Sequence, residues 1–178
     1  NVLNSIVYLV RTKAHQEAEE VTLKLSSLMR YMLYDSDQTM IPLSKELDYL
    51  KNYIDLQKVR FGEDVVIGFE EKGTVQACMI EPMLLIPFVE NAFKHGINQV
   101  LNPKIEIFFS IADGELEFIV QNKKGMAVAE SQEPSSGIGL KNVKRRLQLL
   151  YPEKHILEIS EQGNDFRVKL KMTLDKKI

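Results

Sequence analysis

The chain has 178 residues, 44% of them hydrophobic, which is enough for one domain with an appendage. Its net charge of -2 comes without any basic stripe, so no nucleic-acid partner is expected. The single cysteine, Cys78, excludes an intrachain disulfide and a cysteine metal cluster. No apolar run approaches the roughly 18 residues of a membrane span. We therefore expect a cytoplasmic fragment, with any membrane anchor outside residues 1–178.

Two amphipathic helices are predicted before residue 38. Residues 1–13 carry one apolar side, and residues 18–34 repeat apolar residues at helical spacing. These apolar residues are Leu3, Ile6, Val7 and Val10 in the first helix, and Val21, Leu25, Leu28, Met29, Met32 and Leu33 in the second. Two helices are too few to bury their own faces, so we expect them to pair with a second copy as a four-helix bundle. The alternative is that they pack on the rest of the same chain.

A mixed α and β pattern follows from residue 41. A helix is predicted up to Phe61, with its apolar face formed by Leu43, Leu47, Leu50 and Ile54. A strand is predicted at residues 64–71. The next helix is predicted from Pro82, a favourable first-turn residue, to about His95.

The second half of the chain is predicted to form strands and one helix. Alternating apolar residues at 105–111 and 116–120, with Asp113-Gly114 between them, predict a hairpin. The polar segment 123–136 is predicted to be a mobile loop. A helix at 139–151, with Leu140, Val143, Leu147 and Leu150 inward, and strands at 155–160 and 166–172 complete the chain. The order predicts an α/β sandwich, with one mixed sheet covered by helices on one face.

The helix that ends near His95 carries a polar stripe. Asn91, Lys94 and His95 are three and four residues apart and project from one side. An amide oxygen suits Mg²⁺, and an ammonium group neutralises phosphate charge. His95 either donates to a phosphate or ribose or caps helix carbonyls. Glu90 lies about 100° around the helix from Asn91 and is either a base or water-orienting group or a structural partner.

A glycine-rich turn at residues 137–140 precedes the last helix. Its residues are Gly137, Ile138, Gly139 and Leu140. Glycines let the backbone approach phosphate, and the free N–H groups of a helix start can hold phosphate oxygens. Lys141 or Arg145 could add positive charge, whereas Lys144 and Arg146 are expected on a solvated face. The chain has no Walker loop.

These two segments resemble the N box and the second glycine box of the GHKL (Bergerat) ATP-binding fold. Residues 1–6 resemble the end of the block that carries the phosphoacceptor histidine in LytS/YehU-type sensor histidine kinases. Residues 56–62 and 142–147 fit the same group, so the resemblance spans nearly the whole chain. On this alignment the acceptor histidine lies upstream of Asn1. His15 and His155 lack its sequence context.

The resemblance implies a GHKL two-layer α/β sandwich over residues 39–178, preceded by a remnant of the dimerisation hairpin at 1–38. Asn91 matches the magnesium ligand, and Asn122 occupies the place of the aspartate that reads adenine. ATP would be held by Asn91, Lys94, His95, Asn122, Gly137, Ile138, Gly139, Leu140 and Lys141, with Glu90 as the catalytic candidate.

For function, the resemblance implies transfer of the γ-phosphoryl group of ATP to the upstream histidine and then to a response regulator. It also implies a homodimer formed through the N-terminal helices and a full-length protein in the cell membrane. A GHKL ATPase, a serine kinase of the anti-sigma kind and a non-catalytic nucleotide-binding dimer are the alternatives.

Overall fold

The structure is a computed structural model that describes residues 2–75, 78–97, 100–125 and 138–175. Its helices are α1 (Val2–Arg11), α2 (His15–Arg30), α3 (Leu43–Phe61), α4 (Ile86–His95) and α5 (Ile138–Leu150). Its strands are β1 (Ile41–Pro42), β2 (Val66–Lys72), β3 (Met79–Ile80), β4 (Lys104–Ala112), β5 (Glu115–Lys123), β6 (His155–Gln162) and β7 (Asp165–Thr173). A π-helical turn, Tyr31–Asp35, continues α2, and a 3-10 turn, Gly62–Asp64, follows α3.

Five strands form the main sheet in the order β2-β4-β5-β7-β6. β2 runs parallel to β4, and the other neighbouring strands are antiparallel. The short strands β1 and β3 pair separately, with Ile41 opposite Ile80. The predicted mixed sheet is therefore confirmed.

Period-two alternation sets which face of the sheet is buried. In β4, Ile105, Ile107 and Phe109 are buried, whereas the residues between them are half-buried or exposed. The turn to β5 has positive φ at Asp113 (53°) and Gly114 (88°), as a two-residue hairpin turn requires. The helices cover the buried face, where Phe88 of α4 packs 6.4 Å from Phe118 of β5.

Most helical faces match the sequence pattern, with one correction in α5. Val143 and Leu147 are buried as predicted, but Leu150 is 51% exposed. Tyr151, immediately after the helix, is buried instead, and its hydroxyl accepts a hydrogen bond from the backbone N–H of Glu81 (2.9 Å). That partner, 70 positions earlier in the chain, is invisible to a local apolar pattern.

The start of α4 is also corrected. The helix begins at Ile86, not at Pro82, and ends at His95 as predicted. Met83 has a φ of 59°, which an α-helical residue cannot adopt. The carboxylate of Glu46 accepts the backbone N–H groups of Met83 and Leu85 and so holds a bend before the helix. Pro87 takes the first-turn place expected for Pro82.

The N-terminal hairpin packs partly on the rest of the chain, which was the alternative expectation. Val21 and Leu28 of α2 are buried in the common core, and Lys24 pairs with Asp55 of α3 at 2.7 Å. Other members of the apolar stripes stay exposed. They are Leu3 (66%), Val7 (48%), Val10 (49%), Met29 (51%), Met32 (47%) and Leu33 (64%). Among the described residues, no helix combines the length and apolar character needed to cross a membrane.

Candidate functional site

Helix α4 has a buried face and a polar face. Phe88, Val89, Ala92 and Phe93 are buried against the core. On the remaining side, Asn91 and His95 are half-buried, and Glu90 and Lys94 are exposed. Because the apolar residues fix the rotation of the helix, the polar residues are presented on a rigid element rather than on a loop.

The polar face of α4 meets the start of α5 across a cleft of about 180 Å³. Its lining residues are Pro87, Glu90, Asn91, Lys94, His95, Gly139 and Leu140. The structure thus brings the polar stripe together with part of the glycine-rich turn, although about forty residues separate them in the sequence. Pro87 was not expected among the lining residues, but it lies four residues before Asn91 and therefore on the same side of α4.

A larger cleft of about 640 Å³ lies between α2 and α3. Its charged side chains largely neutralise one another, since Lys45 pairs with Asp35 at 2.7 Å and Asp55 pairs with Lys24 at 2.7 Å. The smaller cleft is the better candidate because it joins amide, ammonium and imidazole groups to the N-terminus of a helix.

Gly139 leaves free space beside the cleft. A Cβ added there would meet no heavy atom within 4 Å, so packing of the described residues does not require a glycine at this position. Open space beside helix N–H groups is what close approach of an anion needs. Ile138 begins α5, while Gly137 and most of the predicted loop at 123–136 lie outside the described residues. Lys141 is exposed on α5 and does not line the described cleft.

Asn122 is buried at the end of β5, with 2% of its surface exposed. Its Nδ2 donates a hydrogen bond to the Lys123 carbonyl (2.9 Å), but its Oδ1 has no partner among the described residues. A Cβ on Gly96 would come within 2.8 Å of the Asn122 Cβ, which places Asn122 against the C-terminal end of α4, next to His95. A buried acceptor without a partner in the protein is uncommon and can be satisfied by a ligand or water.

Two titratable groups that line the cleft have shifted pKa values. Glu90 is exposed as a residue, but neighbouring protein atoms remove part of the water around its carboxylate and so raise its pKa. Burial is also the main cause that lowers the pKa of His95, and the positive charges of Lys94 and Lys124 add to it. Lys124 was not among the residues expected at the site, although its position just beyond β5 was an available signal.

Arg146 contradicts the expectation of a solvated basic residue. Its guanidinium donates to the carbonyls of Pro82 (2.6 Å) and Met83 (3.0 Å) and pairs with Glu81 at 3.0 Å. Since these partners are more than sixty positions away in the sequence, spacing within α5 could not reveal them. Arg146 therefore fastens α5 to the bend that precedes α4.

The donor set of the cleft fits magnesium held together with a phosphate ligand. The described residues contain no group of three His, Cys, Asp or Glu side chains placed to hold a metal ion by themselves. Asn91 supplies an amide oxygen to this cleft. Hard oxygen donors in small number suit Mg²⁺, which takes most of its ligands from water and phosphate.

Comparison with known proteins decides the family. A model of the histidine kinase family matches residues 1–65. The chain is 32% identical over 174 residues to the sensor histidine kinase YpdA of Escherichia coli, covering 93% of this chain and 30% of that protein. It is 31% identical over 133 residues to the sensor protein kinase HptS of Staphylococcus aureus, covering 74% of this chain and 25% of that protein. The chain belongs to the histidine kinase family.

Membership confirms the resemblance to LytS/YehU-type sensor kinases given by the sequence motifs. The chain spans about a third or less of the length of these curated relatives, 30% of YpdA and 25% of HptS.

Solved histidine kinase structures share the fold. The histidine kinase domain of the blue-light activated kinase EL346 from Erythrobacter litoralis superposes with a TM-score of 0.56 at 17% identity, covering 98% of this chain and 86% of that one. The catalytic domain of histidine kinase ThkA superposes with a TM-score of 0.53 at 15% identity, covering 78% of this chain and 98% of that one. The GHKL sandwich with N-terminal helices, predicted from the sequence, is therefore confirmed.

Proposed function

We propose that this chain binds Mg-ATP as the catalytic part of a two-component sensor histidine kinase. In this proposal residues 39–178 form the nucleotide-binding domain, and residues 1–38 form the dimerisation hairpin without the phosphoacceptor histidine. The observation that carries it is the cleft in which Asn91, Lys94 and His95 of α4 face Gly139 at the start of α5. Family membership supports phosphoryl transfer as the chemistry of this cleft.

Each polar group in the cleft has a role in holding the triphosphate. Asn91 contributes its amide oxygen to the magnesium ion, which when bound neutralises phosphate charge. Lys94 adds a positive charge, and His95, neutral because of its lowered pKa, donates an N–H to a phosphate or the ribose. The remaining contacts are backbone N–H groups and one ammonium, from Gly137, Ile138, Gly139, Leu140 and Lys141.

Asn122 is proposed to read the adenine base. Its unpartnered Oδ1 can accept a hydrogen bond from the exocyclic amine, which would satisfy an acceptor that the described residues leave without a partner. The base would then lie against the C-terminal end of α4, and the phosphates would extend along the helix toward Gly139.

Glu90 is the proposed general base. During transfer an imidazole nitrogen of the upstream histidine attacks the γ-phosphorus, the bond to the ADP oxygen breaks, and the imidazole N–H proton must leave. Glu90 lines the cleft, and its raised pKa improves its ability to take that proton. The phosphoryl group would then pass to an aspartate of a response regulator.

A homodimer and a membrane-bound full-length protein belong to the same proposal. The exposed apolar stripe of the hairpin, including Leu3, Val7 and Leu33, offers the surface for a second copy. In this arrangement the chain lies on the cytoplasmic side, where ATP and response regulators are found.

Calorimetric titration with ATP, in the presence and absence of magnesium, tests the site. Asn91→Ala should weaken binding of Mg-ATP far more than binding of metal-free ATP, because it removes a metal ligand and leaves the base pocket intact. Asn142→Ala, the same substitution at an exposed position on α5, is the matched control and should change neither. Equal losses with and without magnesium for Asn91→Ala would reject its role as a metal ligand.

A further inference from the structure

A buried carboxylate lies where the hairpin meets the segment before α4. Glu46 has no exposed surface. Its oxygens accept hydrogen bonds from the Tyr31 hydroxyl and from the backbone N–H groups of Met83 (3.0 Å) and Leu85 (2.9 Å). Glu46 therefore connects three parts of the chain: α3, the turn after α2, and the bend that leads into α4.

Such a carboxylate requires nearly complete hydrogen bonding. Burial raises the pKa of Glu46, and the bonds from Tyr31, Leu85 and Met83 act against that rise by favouring the charged form. Tyr31 and Met83 both donate to Oε2, so removing the Tyr31 hydroxyl leaves this buried oxygen with the Met83 N–H alone, which is costly for a carboxylate in a core. The positions of Tyr31 and of the bend are therefore tied to each other through Glu46.

The same bend is held from its other side by α5. Arg146 donates to the carbonyls of Pro82 and Met83, whereas Glu46 accepts the N–H groups of Met83 and Leu85. α4 starts directly after this bend, and α5 starts at the opposite wall of the candidate cleft. A displacement of the bend therefore acts on both walls of the cleft.

Tyr31 carries the connection to the hairpin. It is the first residue of the π-helical turn that ends α2, it is buried, and its ring stacks on Tyr49 of α3 with centroids 4.3 Å apart. Its hydroxyl also lies 3.3 Å from the Met83 nitrogen. A rotation or shift of α2 relative to α3 would move this hydroxyl away from Glu46 and Met83 together.

We infer that Tyr31 and Glu46 are positioning residues that couple the packing of the N-terminal hairpin to occupancy of the candidate nucleotide cleft. The inference rests on the proposed function, since it concerns regulation of that same site. Coupling between two sites is reciprocal, so nucleotide in the cleft must stabilise the turn after α2 to the same degree that the turn favours nucleotide. This reciprocity makes the connection measurable without knowing the signal that moves the hairpin.

Hydrogen exchange with and without saturating Mg-ATP tests the inference in the whole chain. In the unsubstituted protein, nucleotide should slow exchange of the amides in Tyr31–Asp35 by roughly fivefold or more, the lower end of typical coupling between sites. Tyr31→Phe keeps the ring that stacks on Tyr49 and removes the hydroxyl. It should still bind nucleotide, but the slowing should fall below about twofold. Tyr34→Phe, a 69% exposed position in the same turn, is the matched control and should keep the full effect.

Glu46→Gln is the second variant, because its amide offers one acceptor oxygen in place of two. It should reduce the slowing as Tyr31→Phe does, and it decides the question if Tyr31→Phe fails to fold by circular dichroism. Absence of Mg-ATP binding by the unsubstituted chain would refute the proposed function and this inference with it. Binding without slowing in residues 31–35, or slowing that survives the loss of the Tyr31 hydroxyl, would refute the inference alone.

Discussion

Asn122→Ala should separate ligand binding from folding, because the two amide atoms of Asn122 are in opposite situations. Nδ2 donates to the Lys123 carbonyl, and losing that bond costs about 1 kcal/mol of folding stability. Oδ1 is buried without a partner among the described residues, and removing it relieves a desolvation cost of roughly 1 to 3 kcal/mol. The two effects oppose each other, so the free energy of unfolding should stay the same or rise by up to about 2 kcal/mol.

Nucleotide affinity should respond in the other direction. If Oδ1 accepts from adenine, Asn122→Ala removes a buried hydrogen bond in the complex and should cost roughly 1 to 3 kcal/mol, a loss of about 5-fold to 150-fold. Urea unfolding without ligand gives the first quantity, and calorimetry with Mg-ATP gives the second. A purine nucleotide that lacks the exocyclic amine should lose much less. Strong destabilisation with unchanged preference between the two nucleotides would assign Asn122 to folding and move base recognition elsewhere.

Three further outcomes are expected. Burial lowers the pKa of His95 below its ordinary value of 6.5. The neutral imidazole therefore contributes its full stability above pH 6.5, and that contribution is lost as the pH falls through the pKa of the folded state. The free energy of unfolding should fall less in His95→Gln than in the unsubstituted protein between about pH 7 and pH 5. Leu3→Glu should weaken self-association by roughly tenfold or more in sedimentation equilibrium, whereas Leu101→Glu, at an 86% exposed position outside the hairpin, should not. Incubation with labelled ATP should leave no stable phosphohistidine on His15 or His155, since neither residue lines the cleft. A longer chain with a histidine at the matched upstream position should become phosphorylated on that histidine. Phosphoserine on an added partner would instead favour the anti-sigma kinase alternative.

Local pattern was sufficient where an element is specified by its own residues. The hairpin around Asp113-Gly114 and the buried stripe of α3 follow from alternation, helical spacing and turn chemistry, and their predicted positions hold within two or three residues. The polar stripe of α4 was likewise readable, because a helix that buries one face must present the other. Bringing that stripe to Gly139 required the fold, which the resemblance supplied.

Predictions failed where distant residues decide local structure. Proline is favourable at the first turn of a helix, but the residues after Pro82 form a bend whose N–H groups donate to the Glu46 carboxylate, and α4 begins only at Ile86. Arg146 has the composition of a solvated residue, yet three backbone and side-chain acceptors more than sixty positions away hold it. Both errors have one cause. A charged side chain can form hydrogen bonds with backbone groups that are distant in the sequence, and the residues around it in the sequence do not indicate which groups those are.

Two buried polar side chains near the cleft, Glu46 and Asn122, therefore have different roles, one structural and one proposed to be functional. Both oxygens of Glu46 accept hydrogen bonds from the protein, so its contribution is to geometry. Asn122 keeps an acceptor without a partner among the described residues, against the end of the helix that carries the polar stripe. A protein selected for stability alone would gain by replacing such an atom with an apolar one. A donor that arrives with the ligand would satisfy this atom, and under the proposed function that donor is the exocyclic amine of adenine.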